Sequence, residues 1–367
     1  MTLFYLFMLA GGIQVMVLAI LLYTLSRAIR KSHTASAEYL PVTVVVCAHD
    51  EESNLRELVP RLMQQDYPDF EVIVVEDRSN DGTFDYLREA VKVYSNLRMV
   101  RVEHKPDYAN GKKFGITLGI RAARNEWILL TDADCRPASD HWISSMAKQM
   151  TGTTDFVLGV SPYRKAAGLL NSFIRFETIV TALQYVGLAT LGKPYMGVGR
   201  NLAYRKSIFL QHKGFADLID TTGGDDDLFI NRHAERAKTA VCVQSDGVMV
   251  SIPKASWREF LVQKLRHLVA GKRYKTADRL ILGAVLISQL ATWASLSLLL
   301  ALPYPEIVLA LFLLRWIMLM LLVAGPARRM GFTLEAWKVP LLDFIYAFYY
   351  LGTGLVALFS KRVRWKT

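Results

Sequence analysis

The sequence contains few cysteines and lacks two common phosphate-binding loops, and these absences exclude several classes of protein. Its three cysteines, Cys47, Cys135 and Cys242, lie far apart and form no CxxC pair. A disulfide framework and a structural zinc site are therefore both excluded as working interpretations. No GxxxxGK[ST] segment occurs, and no GxGxxG follows the first predicted strand. A P-loop kinase and a dinucleotide-dependent dehydrogenase are thus disfavoured.

The chain is nevertheless rich in positive charge and in apolar residues. Its 367 residues include 44 Lys and Arg against 33 Asp and Glu, which gives a formal net charge of +11. Hydrophobic residues make up 52%, and the mean hydropathy is +0.22, whereas soluble globular chains average below zero. We therefore expect part of the apolar surface to face lipid. The excess positive charge lies largely beside apolar runs, in KRYK and KRVRWK, which predicts anionic membrane lipids as partners and no nucleic acid.

The N-terminal segment reads as a membrane anchor. Residues 3–25 carry no charged side chain, and about 20 apolar residues suffice for one helical span. A cleavable secretory signal would carry its positive charge before the apolar run. Here Arg27, Arg30 and Lys31 follow the run instead. This order predicts an uncleaved anchor whose N-terminus lies outside and whose following domain is cytoplasmic.

A second apolar region lies near the C-terminus and breaks into about three candidate spans. The predicted division of the chain is an anchor (1–26), a polar cytoplasmic domain (33–254), an amphipathic interfacial region (255–279), apolar spans (280–360) and a basic tail (361–367). Four spans in all would leave the basic tail outside, although its charge favours the cytoplasm. Either the last apolar segment lies in the interface or re-enters, or one span is misassigned; the sequence leaves both alternatives open.

Two ionisable residues fall within the C-terminal spans. Arg315 lies near the centre of one span and Asp343 lies in the next. Charged groups at membrane depth are costly, so they are either paired or functional. The sequence favours a mutual pair, or an arginine that reaches toward the interface, over a role in a substrate path.

Strands and helices alternate in the polar domain. Runs rich in apolar and β-branched residues at 42–48, 71–76, 98–102 and 127–131 are separated by helical segments. Such runs are typical of strands buried on both faces, and their alternation with helices predicts an α/β fold with a parallel, doubly wound sheet. Ligands of such sheets bind at the carboxyl ends of the strands.

Acidic residues follow the first, second and fourth of these strands. Asp50 and Glu51 follow the first, Asp77 the second, and Asp132 and Asp134 the fourth. Two residues apart in extended chain, Asp132 and Asp134 project to the same side, where their carboxylates repel each other unless a cation lies between them. Mg²⁺ or Mn²⁺ is held by one or two carboxylates, with substrate phosphates completing its shell. The sequence therefore predicts a divalent metal and a phosphorylated ligand, and the alternative is a solvated turn.

Two further charged segments suit group transfer. Lys112 follows an Asn-Gly pair. Because the sequence has no glycine-rich phosphate-binding loop, we expect cationic side chains such as Lys112 to bind the phosphate. Asp225, Asp226 and Asp227 open a helical segment. Acids at a helix start favour the helix dipole, and one of these three can also serve as a general base toward a hydroxyl group.

The segment before the C-terminal spans has the pattern of an interfacial helix. Aromatic and aliphatic residues recur at helical spacing through ASWREFLVQKLRHLVAG, among basic residues. This combination is typical of a helix that lies on an anionic lipid surface.

Six segments, in order, resemble the motifs of glycosyltransferase family 2. CAHDEE is similar to the family's PxYNEE, VVEDRSNDGT to VDDGSxDGT, NGKKFGITLGI to xGKxxALNxGI, TDADC to its D-x-D, GDDDL to ED-x-DL and QKLRH to Q-x-x-R-W. The likeness covers residues 41–273. The chain is identified as a membrane-anchored member of this family, which implies the GT-A fold, Rossmann-like with a mostly parallel sheet, here between N- and C-terminal transmembrane helices.

The resemblance implies a role for each matching residue. It assigns the donor site to Ala48, Asp50, Glu51, Asp77, Lys112, Asp132, Gln263 and Arg266. The metal ligands are Asp132 and Asp134, and Asp225 matches the catalytic base, with Asp226 as its catalytic neighbour. His267 lies on the acceptor side, where processive polymerases of the family carry a tryptophan, and this departure favours a single transfer.

The implied activity is that of an inverting hexosyl- or N-acetylhexosaminyltransferase (EC 2.4) that uses Mg²⁺ or Mn²⁺. The donor would be a nucleotide-diphosphate sugar, with UDP the commonest nucleotide in the family. The acceptor would be a hydroxyl of a lipid-linked or glycan substrate at the cytoplasmic face of a bacterial inner membrane. A processive polysaccharide synthase and a catalytically inactive membrane scaffold are the alternatives.

Overall fold

The computed structural model describes residues 1–32, 39–219, 221, 223–235, 238–298 and 301–359. The predicted basic tail (361–367) and the first six residues of the predicted polar domain (33–38) lie outside the described residues. The chain begins with helix α1 (Thr2–Ser32), which continues past the predicted end of the anchor at residue 26.

Alternating strands and helices build the first half of the polar domain. They are β1 (Val42–Ala48), α2 (Glu52–Met63), β2 (Phe70–Glu76), α3 (Thr83–Val93), β3 (Leu97–Arg101), α4 (Gly111–Ala122) and β4 (Trp127–Asp132). The pairs β1–β2, β1–β4 and β2–β3 are all parallel. The expected α/β fold with a mostly parallel sheet is therefore confirmed.

The second half of the domain adds shorter elements. They are β5 (Cys135–Pro137), α5 (Trp142–Ala147), β6 (Phe156–Leu158), α6 (Leu169–Thr190), β7 (Leu202–Arg205), α7 (Lys206–Gln211), α8 (Asp227–His233), β8 (Thr239–Val241) and β9 (Met249–Ser251). The main sheet has the order β3-β2-β1-β4-β7-β6-β8, and β5 pairs with β9 in a separate two-stranded sheet. Strand β7 runs antiparallel to β4, so the sheet is mixed at this side.

Hydrophobic side chains cover both faces of the sheet, which explains why its central strands are mostly apolar. Val45 and Ile73 pack into the core on one face, and Val44 and Val72 pack into the core on the other. Side chains of a strand alternate between the two faces, so a strand buried on both sides is apolar at most positions. The buried Thr43 hydroxyl is an exception, and it donates a hydrogen bond to Glu71 at 2.8 Å.

The remaining helices join the domain to the apolar part of the chain. They are α9 (Trp257–Gly271), α10 (Thr276–Ser297), α11 (Pro305–Leu322) and α12 (Val339–Phe359). Among the described residues, α1, α10, α11 and α12 are long and apolar enough to cross a membrane. The last turns of α1 lie against α6, where Gly187 permits the close approach of Leu21. The apolar helices are thus fastened to the domain by packing as well as by the chain.

A polar cluster lies inside the group of apolar helices. The guanidinium of Arg315 on α11 donates to both carboxylate oxygens of Asp343 on α12, at 2.5 and 2.9 Å. Gln14 of α1 accepts from Arg315 at 3.2 Å, and Gln289 of α10 donates to Asp343 at 3.1 Å. The expected mutual pair of Arg315 and Asp343 is confirmed, and its partners extend to all four helices.

Breaking this pair should destabilise the helical group. Asp343→Asn leaves the buried guanidinium of Arg315 without its counter-charge, and we expect a loss of about 3–5 kcal/mol in unfolding free energy. The double variant Arg315→Met/Asp343→Leu removes both charges and should recover most of the loss. Thermal unfolding in detergent micelles measures both, and an Asp343→Asn protein as stable as the wild type would contradict this account.

Candidate active site

The acidic residues after the strands gather at one edge of the sheet. The parallel register aligns Ala48 of β1 with Glu76 of β2 and Cys47 of β1 with Asp132 of β4. Because these strands end side by side, the residues that follow them line one crevice. Ala48 itself packs into the core, and its carbonyl accepts a hydrogen bond from the Asp77 N–H at 2.8 Å.

Lys112 lies at the centre of the crevice. Helix α4 begins one residue earlier, and the Lys112 ammonium lies 2.9 Å from Asp132 Oδ1 and 3.2 Å from Asp225 Oδ2. Burial opposes the charge of Lys112, but the two carboxylates hold its pKa above the ordinary lysine value. The Lys112 ammonium therefore brings together two predicted site carboxylates, Asp132 and Asp225, that are far apart in the sequence.

Asp225 is the acid of the DDD segment that faces this cation. Burial would raise its pKa, but the ammonium groups of Lys112 and Lys113 hold the pKa below the usual aspartate value. Asp225 is therefore an ionised carboxylate at neutral pH, able to accept a proton. Its side chain is 11% exposed, which leaves it open to the crevice.

The neighbours of Asp225 are engaged in local structure. Asp226 accepts backbone N–H bonds from Gly199 at 2.6 Å and from Asp227 at 2.8 Å. Asp227 accepts a hydrogen bond from the Tyr274 hydroxyl at 2.7 Å. Both carboxylate oxygens of Asp226 thus already accept backbone hydrogen bonds. A catalytic role for Asp226 stays a prediction.

Asp134 completes the predicted metal motif. Burial, and then the negative charge of Asp132, raise the pKa of Asp134, and Lys254 and Arg200 offset this only in part. Among the described residues no three His, Cys, Asp or Glu side chains converge as a self-contained metal site. Two crowded carboxylates do fit Mg²⁺ or Mn²⁺ when substrate phosphates supply the other ligands, so the donor set suits the expected ion.

The predicted nucleotide side of the crevice is shaped by turns after β1 and β2. Asp50 has a left-handed backbone (φ 55°), and its Oδ1 accepts from the Asn80 N–H at 2.6 Å. The Asp77 carboxylate forms an ion pair with Arg78, with 2.8 Å between Asp77 Oδ1 and Arg78 Nε. A Cβ at Gly111 would lie 2.7 Å from Asp77, so glycine is what lets α4 start beside this carboxylate.

Glu51 lies at the same rim, ahead of α2. Its backbone N–H donates to the Thr83 hydroxyl at 2.9 Å, and its carboxylate accepts from Asn54 at 2.6 Å. Burial raises the pKa of Glu51, and the charge of Asp134 adds to the rise. Glu51 therefore lies close enough to the metal motif to interact with it electrostatically.

Helix α9 carries the QKLRH segment. Gln263, Arg266 and His267 are spaced so that one face of the helix presents all three. Burial lowers the pKa of Arg266, and Asp225 partly restores it, which places Arg266 in the field of the predicted base. The side-chain oxygen of Gln263 is buried and has no hydrogen-bond partner among the described residues, whereas His267 is exposed.

Arg200 belongs to the crevice, although no sequence pattern singled it out. Its guanidinium stacks 4.5 Å from the ring centre of Tyr163. Burial opposes its charge, but Tyr163 and, beyond it, Asp132 and Asp134 raise its pKa. Its Nη1 is buried without a hydrogen-bond acceptor among the described residues, so this cation suits a phosphate oxygen.

The sequence also did not single out Lys113, because the pattern of NGKKFG does not distinguish its two adjacent lysines. Its side chain is fully buried, and the ammonium donates to the carbonyls of Leu218, Thr221 and Gly223 at 2.7 to 2.8 Å. Lys113 thereby fastens the segment that leads into Asp225. Lys112 thus lies in the crevice, whereas Lys113 stabilises the segment beside it.

Lys113→Met should therefore be strongly destabilising. The substitution leaves buried carbonyls without a donor, and we expect a loss of about 3–5 kcal/mol in unfolding free energy. Lys92→Met is the matched control: its side chain is 63% exposed and should change stability by no more than about 1 kcal/mol. Denaturant titration of both variants measures the difference, and equal midpoints would show that Lys113 does not support the segment.

Comparison with known proteins finds a matching family model and similar sequences and folds. The model of the family described as "Glycosyl transferase family 2" matches residues 43–212. Residues 43–212 therefore carry a glycosyltransferase family 2 domain. A probable glycosyltransferase YdaM of Bacillus subtilis (strain 168) is 26% identical over 233 residues, which cover 62% of this chain and 51% of the relative. The chain therefore spans about half the length of this relative.

Two further likenesses concern part of the sequence and the whole fold. A beta-monoglucosyldiacylglycerol synthase of Trichormus variabilis (strain ATCC 29413 / PCC 7937) is 31% identical over 101 residues, covering 27% of this chain and 21% of the relative. The mannosyltransferase PcManGT of Pyrobaculum calidifontis, solved with GDP-Man and Mn²⁺, superposes with a TM-score of 0.59 at 18% identity. That match covers 98% of this chain and 100% of the mannosyltransferase, and it confirms the expected GT-A fold.

Proposed function

We propose that the protein transfers a sugar from a nucleotide-diphosphate donor to a hydroxyl group of a lipid-linked or glycan acceptor, with inversion at the anomeric carbon. The observation that carries this proposal is the contact of Lys112 with both Asp132 and Asp225. It brings the metal motif, a cation and an ionised carboxylate into one crevice at the carboxyl ends of parallel strands.

The residues of the crevice suit the charges of this reaction. The acceptor oxygen forms a bond to the anomeric carbon while the bond from that carbon to the diphosphate oxygen breaks. Asp225 takes the proton of the acceptor hydroxyl, and the nucleoside diphosphate leaves with the electron pair of the broken bond. Lys112 and Arg266 neutralise the charge that develops on the leaving phosphate. A Mg²⁺ or Mn²⁺ ion held by Asp132 and Asp134 would add Lewis-acid stabilisation of the same charge.

The position of the crevice supports an acceptor at the membrane. Helix α9 carries Gln263 and Arg266 and is followed after a short turn by the apolar helix α10. The basic end of α1, with Arg27, Arg30 and Lys31, supports a cytoplasmic orientation of the domain. A relative named for a glucosyldiacylglycerol product supports a lipid acceptor. The exposed imidazole of His267, where processive enzymes carry tryptophan, supports a single transfer.

A direct assay tests the proposed activity. The purified protein, in detergent with a bacterial lipid extract, is incubated with UDP- and GDP-sugars and Mn²⁺. We expect one donor to yield free nucleoside diphosphate and a glycosylated product whose new linkage has the opposite anomeric configuration to the donor. A product that retains the donor configuration would contradict the single displacement, and the absence of donor consumption throughout would contradict the activity.

A further inference from the structure

Besides Arg315 and Asp343, a second buried ion pair lies outside the crevice and takes no part in the chemistry described above. The Lys264 ammonium of α9 lies 2.5 Å from Glu177 Oε2 of α6, and the two side chains are 15% and 3% exposed. Removing two charges from water costs free energy that their attraction scarcely returns, so such a pair is weak evidence of stabilisation. A role in fixing geometry is the stronger explanation.

Helix α9 presents two different faces. Arg266 lies beside the segment that leads into Asp225, because a Cβ at Gly223 would be 3.7 Å from the Arg266 carbonyl oxygen, and Asp225 also acts on the pKa of Arg266. Gln263 lies one helical turn before Arg266. Phe260 and Lys264, four residues apart, lie on a neighbouring face. Phe260 is fully buried and packs edge-on against Phe173 of α6 at 5.9 Å. A rotation of α9 about its axis would therefore move Arg266 away from Asp225 and Lys264 away from Glu177 together.

The apolar helix α12 closes around the same pair. Tyr349 stacks on Phe260 with ring centres 5.8 Å apart. The Tyr350 hydroxyl interacts with Glu177 and with Thr181 of α6. Aromatic packing of this kind tolerates sliding and rotation, because hydrophobic contact is not directional. The ion pair is a directional contact that joins α9 to α6 at this junction.

We propose that Lys264 and Glu177 are positioning residues that fix the rotation of α9, and with it the reach of Gln263 and Arg266 into the crevice. This inference rests on the proposed function, since it takes Arg266 to act on the leaving diphosphate. The pair also ties α9 to α6 and, through the contact of Tyr350 with Glu177, to α12, so the apolar helices help to set the geometry of the crevice.

Steady-state kinetics of Lys264→Met tests the proposal. We expect kcat to fall about 10- to 100-fold, because a displacement of about 1 Å at a reacting group costs that much. The donor KM should change by less than about 3-fold, because a contact made mainly in the transition state affects kcat rather than KM. Arg258→Met, an exposed position on the same helix, is the control and should keep wild-type kinetics.

A double-mutant cycle separates positioning from a general structural effect. If Lys264 acts through Arg266, Arg266→Gln should lower kcat strongly in the wild type and only slightly in the Lys264→Met background. Independent effects that multiply would overturn the proposal. If Arg266→Gln alone keeps full activity, the proposed function of Arg266 fails. If Arg266→Gln is impaired but Lys264→Met is not, only the positioning inference fails.

The double variant Lys264→Met/Glu177→Gln covers the case in which one unpaired buried charge prevents folding. It carries no unpaired charge and should fold, which the far-UV circular dichroism spectrum and unfolding temperature establish. We expect its kcat to stay as low as that of Lys264→Met, because α9 has lost this directional contact with α6. Recovery of wild-type kcat would show that the pair matters only for charge balance and would overturn the proposal.

Discussion

Asp225→Asn should abolish sugar transfer, lowering kcat by about 10²- to 10⁴-fold, while donor affinity stays within a few-fold of wild type. The amide keeps the shape of the side chain but cannot take the proton of the acceptor hydroxyl. Lys112 keeps its contact with Asp132, so the binding part of the crevice is retained. Product formation gives the rate, and calorimetric titration with the donor gives the affinity.

A matched control for this variant lies on the neighbouring segment. Asp217→Asn also removes one carboxylate, but that side chain is 89% exposed and should leave kcat unchanged. If Asp225→Asn remains fully active, the assignment of the base is wrong. If it loses donor affinity as severely as rate, Asp225 contributes to binding rather than to proton transfer.

Asp134→Asn should weaken metal-dependent nucleotide binding about 10- to 100-fold without destabilising the protein. Burial and the charge of Asp132 raise the pKa of Asp134. An aspartate whose pKa is raised on folding contributes stability at low pH and loses it as the pH rises through that pKa. At neutral pH its neutral replacement should therefore leave the metal-free unfolding temperature equal or higher.

The Asp134→Asn prediction combines weaker nucleotide binding with an unfolding temperature that is equal or higher, and a merely structural role would not produce this combination. Calorimetry with UDP or GDP, with and without Mn²⁺, gives the binding, and thermal unfolding in EDTA gives the stability. A structural carboxylate would show a lower unfolding temperature and unchanged nucleotide affinity, which would contradict a metal-binding role for Asp134.

The sheet and its acidic edge were predictable because their signals are strong and local. Val42–Ala48 and Phe70–Glu76 are buried on both faces and are therefore rich in apolar, β-branched residues. The acids that follow β1, β2 and β4 come together for the general reason that parallel strands end at one edge. Strands such as Phe156–Leu158 and Thr239–Val241 are only three residues long, too short for a periodic pattern, and their pairing depends on distant segments.

The division of roles between adjacent residues could not be read from the sequence. Lys112 and Lys113 are neighbours of the same type, and only the helical start of α4 sends one to the crevice and the other to the carbonyls beneath it. Asp225 and Asp226 likewise differ only in what surrounds them. Arg200 gave no signal at all, because its neighbours in the crevice, Tyr163 among them, come from other parts of the chain.

The unfolding temperature of the purified protein, measured against a panel of nucleotide sugars with and without Mn²⁺, is the most direct examination of the crevice. A ligand at a hundredfold excess over its Kd adds about 2.7 kcal/mol to the stability of the folded state. We predict that at least one diphosphate sugar raises the unfolding temperature only when Mn²⁺ is present, and that Asp132→Asn abolishes the rise. An unchanged temperature with every nucleotide sugar, or a rise that persists in Asp132→Asn, would contradict a metal-bridged diphosphate at the ends of these strands.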